Sequence, residues 1–121
     1  MRYFFDSYAI IEIIRKNENY LKFKDEVMVT SILNVGEIYY YLLKDKDENT
    51  ANSWHNLLIH NAMDIGTEII MNAMKFRFEN KNKKFSFNDC VGYVLAKEKG
   101  LKFLTGDEGF KDFENVEFVK K

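Results

Sequence analysis

Ser86-Phe87-Asn88-Asp89-Cys90-Val91-Gly92-Tyr93-Val94-Leu95-Ala96-Lys97-Glu98-Lys99-Gly100-Leu101-Lys102-Phe103-Leu104-Thr105-Gly106-Asp107 reads as a helix, a buried strand and an acidic turn. Ser86 is placed to cap the helix, which runs from Phe87 to Lys99. Gly100 stops it as the residue just past the end. Leu101 to Leu104 reads as the fourth strand. Glu108 to Asp112 reads as a helical turn, and Val116 to Val119 as a last strand.

Working outward, the same alternation recurs. Residues 2–5 form an aromatic strand, and Asp6-Ser7 caps a helix continuing to about Lys16. Asn17 to Asp25 reads as a second short helix. Val27-Met28-Val29 is a second strand, and Thr30 or Ser31 caps a helix to about Leu43. Lys44 to Thr50 reads as a charged turn and Ala51 to His60 as a helix with Trp54, Leu57 and Leu58 facing inward. Ala62 to Ile65 is a third strand ended by Gly66. Thr67 caps a helix through Phe78, and 79–84 form a basic loop. Strands alternating with helices predict an α/β fold, a parallel sheet covered on both faces. Ligands bind such sheets outside the carboxyl ends of the strands, where Asp6 and Asp107 fall.

The chain has 121 residues and a formal net charge of −1, with one cysteine and no proline. That length predicts one domain spanning 1–121. A single cysteine excludes an intrachain disulfide and fits a reducing compartment. Met1-Arg2 leads into an apolar run that Asp6 interrupts, which predicts no signal peptide. No apolar run reaches the ~18 residues a membrane helix needs. The expectation is a soluble cytoplasmic protein. The charge balance argues weakly against nucleic-acid binding unless a cation neutralises part of the acid.

Four acids stand in apolar company: Asp6, Glu37, Asp89 and Asp107. Each has a plain structural explanation. Asp6 can cap the first helix. Glu37 can belong to a solvated stripe with Asn34, Tyr41 and Lys44. Asp89 can close a capping box with Ser86, and Asp107 can be a turn residue. One shared site explains all four together. Gly92 and Ala96 follow Asp89 on one helix face, which would leave room for something other than side chains. Two unit charges ~5 Å apart repel by about 3 kcal/mol at an effective dielectric near 20. Mg²⁺ or Mn²⁺ would relieve four gathered carboxylates, and the reaction class that follows is metal-assisted phosphodiester hydrolysis. Zinc fits poorly, since His55 and His60 are five residues apart and Cys90 has no partner motif. Both histidines read as surface residues, and Cys90 as a core thiol.

These residues resemble the PIN-domain family of nucleases, and above all its small VapC-type toxins of toxin–antitoxin pairs. The likeness rests on Tyr3-Phe4-Phe5-Asp6-Ser7, on Asn34-Val35-Gly36-Glu37-Ile38-Tyr39, on Asn88-Asp89 running to Gly100, and on Leu104-Thr105-Gly106-Asp107 followed by Phe110. The stretch from Phe85 through Val119 is the most specific part. The resemblance implies a three-layer α/β/α sandwich with a central, mainly parallel sheet of four to five strands. It implies Mg²⁺- or Mn²⁺-dependent RNA cleavage by a homodimer bound by an antitoxin. Asp6 and Asp89 would be primary metal ligands, with Glu37 and Asp107 completing the pocket and Ser7 and Thr105 supporting it. Many members carry a further acid where this chain has Gly109; Glu108 is the neighbouring candidate.

Lys75, Arg77, Lys81, Lys83 and Lys84 form the densest basic stretch, either an RNA contact or a solvated helix end. Tyr39, Tyr40 and Tyr41 cannot all be buried on one helical face, so one is expected to meet a dimer mate or antitoxin. Two other readings remain open from the residues. One is a nucleic-acid-binding or assembly module with a vestigial acidic pocket. The other is a receiver-like or phosphatase-like protein using Asp6, although Tyr8 stands where such phosphatases place a second Asp. No Gly-rich phosphate loop supports nucleotide binding.

Overall fold

A computed structural model describes residues 1–121. The chain runs β1 (Tyr3–Phe5), α1 (Ser7–Ile14), a 3₁₀ helix (Glu18–Phe23), β2 (Thr30–Ser31), α2 (Ile32–Asp45) and α3 (Glu48–Leu58). A 3₁₀ turn (Ile59–Asn61), β3 (Ala62–Met63), α4 (Thr67–Glu79) and a second turn (Lys81–Lys83) follow. The chain closes with α5 (Phe87–Glu98), β4 (Lys102–Thr105), a turn (Glu108–Phe110) and β5 (Val116–Phe118).

Two parallel ladders, β1-β4-β5 and β2-β3, make the sheet. They join where the Phe5 amide donates to the Val29 carbonyl at 2.8 Å, beside a parallel bridge between Phe4 and Val29. The resulting order across the sheet is β3-β2-β1-β4-β5. The order reverses between β1 and β4, so those two carboxyl ends form the crevice of a doubly wound sheet.

Side chains alternate across a strand, and here the alternation separates two cores. Phe4 and Phe103 join Cys90, Val91, Ala96 and Phe110 beneath α4 and α5. Phe5 and Leu104 join Ile10, Ile38, Leu42 and Leu58 beneath α1, α2 and α3. Phe4, Phe5, Phe103 and Phe110 are fully buried, each worth roughly 1.5–3 kcal/mol over exposure. The sandwich expected from the sequence is therefore present, with all strands parallel.

Several boundaries differ from the sequence reading. The second strand lies at Thr30–Ser31, not 27–29. The Val29 amide turns back to the Val27 carbonyl at 3.0 Å, and Val27 is exposed, so the chain is still turning there. The expected charged turn over 44–50 is mostly helical. α2 continues to Asp45, and Asp47 caps α3 by accepting from the Thr50 amide at 2.7 Å. Leu58 packs inward as expected, but Leu57 is 55% exposed.

Gly92 corrects another expectation. Its missing side chain leaves no space for a ligand. A Cβ there would lie 3.1 Å from both the Phe4 and Phe103 rings, so the glycine lets α5 approach the sheet. We expect Gly92→Val to destabilise the fold by about 2 kcal/mol, the usual cost of overpacking, read from a urea midpoint. An unchanged midpoint would mean that α5 sits looser than described.

Candidate active site

Asp6 follows β1 and caps α1, and Thr105 ends β4, at the reversal in strand order. Asp6 is only 4% exposed. Its Oδ1 accepts from the Ser7 amide at 2.9 Å, and its Oδ2 accepts from the Thr105 hydroxyl at 2.7 Å. Thr105 Oγ1 in turn accepts from the Asp107 amide at 3.1 Å. The hydroxyl proton is thus committed to Asp6, and one threonine ties the two strand ends together.

Glu37 joins from α2. The Ser7 hydroxyl donates to Glu37 Oε1 at 2.6 Å and accepts from Asn34 Nδ2 at 2.8 Å. Asn34 is buried, and its Oδ1 accepts from the Ser31 hydroxyl at 2.7 Å inside the α2 capping box. Asn34 therefore fixes the proton direction at Ser7 and aims it at Glu37. The sequence reading missed this role. The available signal was Asn34 lying one turn before Glu37, three residues after a capping serine. A fifth acid, Glu12, is also buried, but it holds Asn17 Nδ2 at 2.8 Å and closes the end of α1.

The plain explanations for the other acids are realised too. Asp89 Oδ2 accepts from the Ser86 amide at 2.9 Å in a full capping box. Asp107 Oδ1 accepts from the Gly109 amide at 3.0 Å. Both acids nonetheless belong to one electrostatic group. Burial first, then the charges of Asp89 and Glu37, push the Asp6 carboxyl up to about 8 against the Thr105 and Ser7 hydrogen bonds. Asp89 is raised by burial, and further by Asp107 and Glu37, against its bonds to Ser86. Asp107 is also felt at Tyr8, whose phenol is raised first by burial and next by Glu12.

The four acids share the rim without forming a cage. No three His, Cys, Asp or Glu side chains close around one point as a ready-made metal site. Each of the four instead accepts a hydrogen bond from a nearby N–H or O–H donor of the chain. Cys90 is buried in the core, and both histidines are exposed, as the sequence implied.

Residues 3–116 match the PIN domain family. The chain belongs to that family. Two solved structures have a similar fold. One is a toxin–antitoxin complex from Klebsiella pneumoniae, at 16% identity and a TM-score of 0.76, covering 95% of each chain. The other is VapBC2 from Rickettsia felis bound to a fragment of its promoter DNA. It has 18% identity and a TM-score of 0.70, covering 100% of this chain and 99% of that one. No curated protein matches the chain by sequence.

The match to the PIN family sets aside the receiver-like and phosphatase-like readings of Asp6, and strand order adds to this for the receiver alone. Receivers carry the order 2-1-3-4-5, whereas this PIN sheet has β3-β2-β1-β4-β5. The donor set suits a hard divalent cation. Asp89 Oδ1, Asp107 Oδ2 and Glu37 Oε2 accept no hydrogen bond from the chain. Mg²⁺ keeps several waters and needs only one or two protein carboxylates, so an open group of acids fits it better than a closed cage. Gly109 has a local cause. A Cβ there would lie 2.7 Å from the Phe85 ring, which stacks on Phe110 at 4.0 Å. An acid at this position would have to displace that ring. Glu108 beside it is exposed.

Proposed function

We propose that this PIN domain, read as one unit over residues 1–121, is a Mg²⁺- or Mn²⁺-dependent endoribonuclease that hydrolyses RNA phosphodiester bonds. The observation that carries this reading is Asp6, buried at the strand-order reversal and pushed up to about 8, with the charges of Asp89 and Glu37 among the causes. A buried carboxyl placed among anions is a functional-site signal rather than a stabilising device.

We assign cation binding to Asp6 and Asp89, with Glu37 and Asp107 completing the acidic pocket. A divalent cation supplies a water of lowered pKa and positive charge beside the attacked phosphate. Ser7 and Thr105 hold Glu37 and Asp6 in fixed orientation through their hydroxyl protons. We assign receipt of a proton from the attacking water to Glu37 Oε2, since Oε1 is taken by Ser7.

The toxin assignment, as one half of a type II toxin–antitoxin pair, draws on the two neighbours, a toxin–antitoxin complex and a VapBC2 assembly on promoter DNA. It brings a cognate antitoxin, a second copy of this chain as dimer mate, and a cytoplasmic location. Tyr40 is exposed on α2 and is offered as a contact for one of these partners. No helix is long and apolar enough to cross a membrane.

Cleavage of single-stranded RNA is expected with Mg²⁺ or Mn²⁺, to stop in EDTA, and to return when either cation is restored. Cleavage indifferent to EDTA would remove the metal mechanism. A second reading, a non-catalytic binding or assembly module, is favoured by Gly109 and by the structural hydrogen bonds each acid already makes. RNA bound but left intact under both cations would decide for it.

A further inference from the structure

The C-terminal end of α4 carries an aromatic ring left in water among cations. Phe78 is 70% exposed, more than any other large apolar side chain beyond Met1. Phe76, two residues earlier, stacks on Phe85 at 5.8 Å and on Phe110 at 6.4 Å. Those contacts anchor this end of α4 between the residues preceding Asp89 and those following Asp107. Arg77 precedes Phe78 on the exposed last turn of α4. Lys81 Nζ stands 4.9 Å above the Phe78 ring, and Lys83 and Lys84 follow in the connection to α5, all exposed.

A Phe ring in water forfeits the burial energy that Phe76 collects, and this one stands beside cations. Every nucleobase has a π-face, and single strands bind where aromatic rings alternate with cations that track the phosphates. Resting on the ribonuclease reading, we propose that Phe78 is a stacking platform for one base of single-stranded RNA, with Lys81 and Arg77 contacting the flanking phosphates. The platform would hold a nucleotide beside the acidic rim rather than in it. It makes no use of the metal.

The test is binding of a fluorescent uridine oligomer, followed by anisotropy in EDTA so that cleavage stops. Phe78→Ala is expected to weaken binding about tenfold, and Phe78→Trp to retain it. On an oligomer lacking bases, wild type and Phe78→Ala should bind alike. Lys81→Ala should flatten the salt dependence by about 0.7 in slope, the share of one single-strand phosphate. Equal affinity of wild type and Phe78→Ala for the uridine oligomer would overturn the platform, while EDTA-sensitive cleavage would still stand. Absence of wild-type binding in EDTA would overturn it as well. So would a Phe78→Ala variant that changes only the oligomeric state in light scattering, since the ring would then face a protein. Failure of the ribonuclease reading itself would show separately, as intact RNA with Mn²⁺.

Discussion

Asp6→Asn is expected to raise the melting temperature of the EDTA-treated protein at pH 8 by about 5–10 °C, corresponding to roughly 2 kcal/mol for a domain of this size. The reason is proton linkage. In the fold the Asp6 carboxyl is raised from 3.8 to about 8, with burial the first cause and Asp89 the second. Between those values the folded chain keeps a proton that the unfolded chain has released. Stability therefore falls as pH rises through that window, by up to about 1.4 kcal/mol per pH unit, and levels off above it. Asparagine cannot ionise. Its Oδ1 can still accept from the Ser7 amide, and its Nδ2 can donate to Thr105 Oγ1. The variant should lose the decline assigned to Asp6 between pH 5 and 8. Millimolar Mn²⁺ should raise the melting temperature of the wild type more than that of Asp6→Asn. If Asp6→Asn melts at or below the wild-type temperature in EDTA at pH 8, the acids do not repel as described.

Much of this arrangement was legible in the chain because it is local. The Ser86 cap, the Gly100 stop and the run Leu101–Leu104 are short-range signals, and α5 and β4 follow them within a residue or so. Val27–Val29 was half right, since Val29 bridges Phe4 while Val27 is exposed and outside any ladder. The ladder instead forms at Thr30 and Ser31, opposite Ala62 and Met63. The site divides in the same way. Asp6 and Asp107 were visible just past strand ends and Thr105 came with the family resemblance, but the bond between Asp6 and Thr105 spans 99 positions and depends on β1 pairing with β4. Asn34 was hidden because its role lies in the third dimension, across α1 and α2. Gly92 was misread because glycine beside an acid looks the same whether the space takes a ligand or a ring. The sheet decides, and here Phe4 and Phe103 fill it.

Asp89 has two duties, and two variants should separate them. Its Oδ2 completes the capping box with the Ser86 amide, while its charge contributes to the raised Asp6 and its Oδ1 accepts nothing from the chain. Asp89→Asn keeps a carbonyl oxygen for the Ser86 amide and removes a negative charge from a crowded rim. Its stability should equal or exceed that of the wild type in EDTA. RNA cleavage, on the mechanism proposed above, should fall by at least about 100-fold, since an interaction worth several kcal/mol with a catalytic cation is lost. Ser86→Ala does the reverse. It removes the hydroxyl that accepts from the Asp89 amide at 3.1 Å and should cost about 1 kcal/mol of stability. Its carboxylate remains, so most of the cleavage should survive. A pure Asp89→Asn preparation that cuts RNA at the wild-type rate would reduce Asp89 to a helix cap and remove it from the chemistry. Loss of both stability and cleavage in Ser86→Ala would instead show that the cap orients the carboxylate, and that the two duties are one.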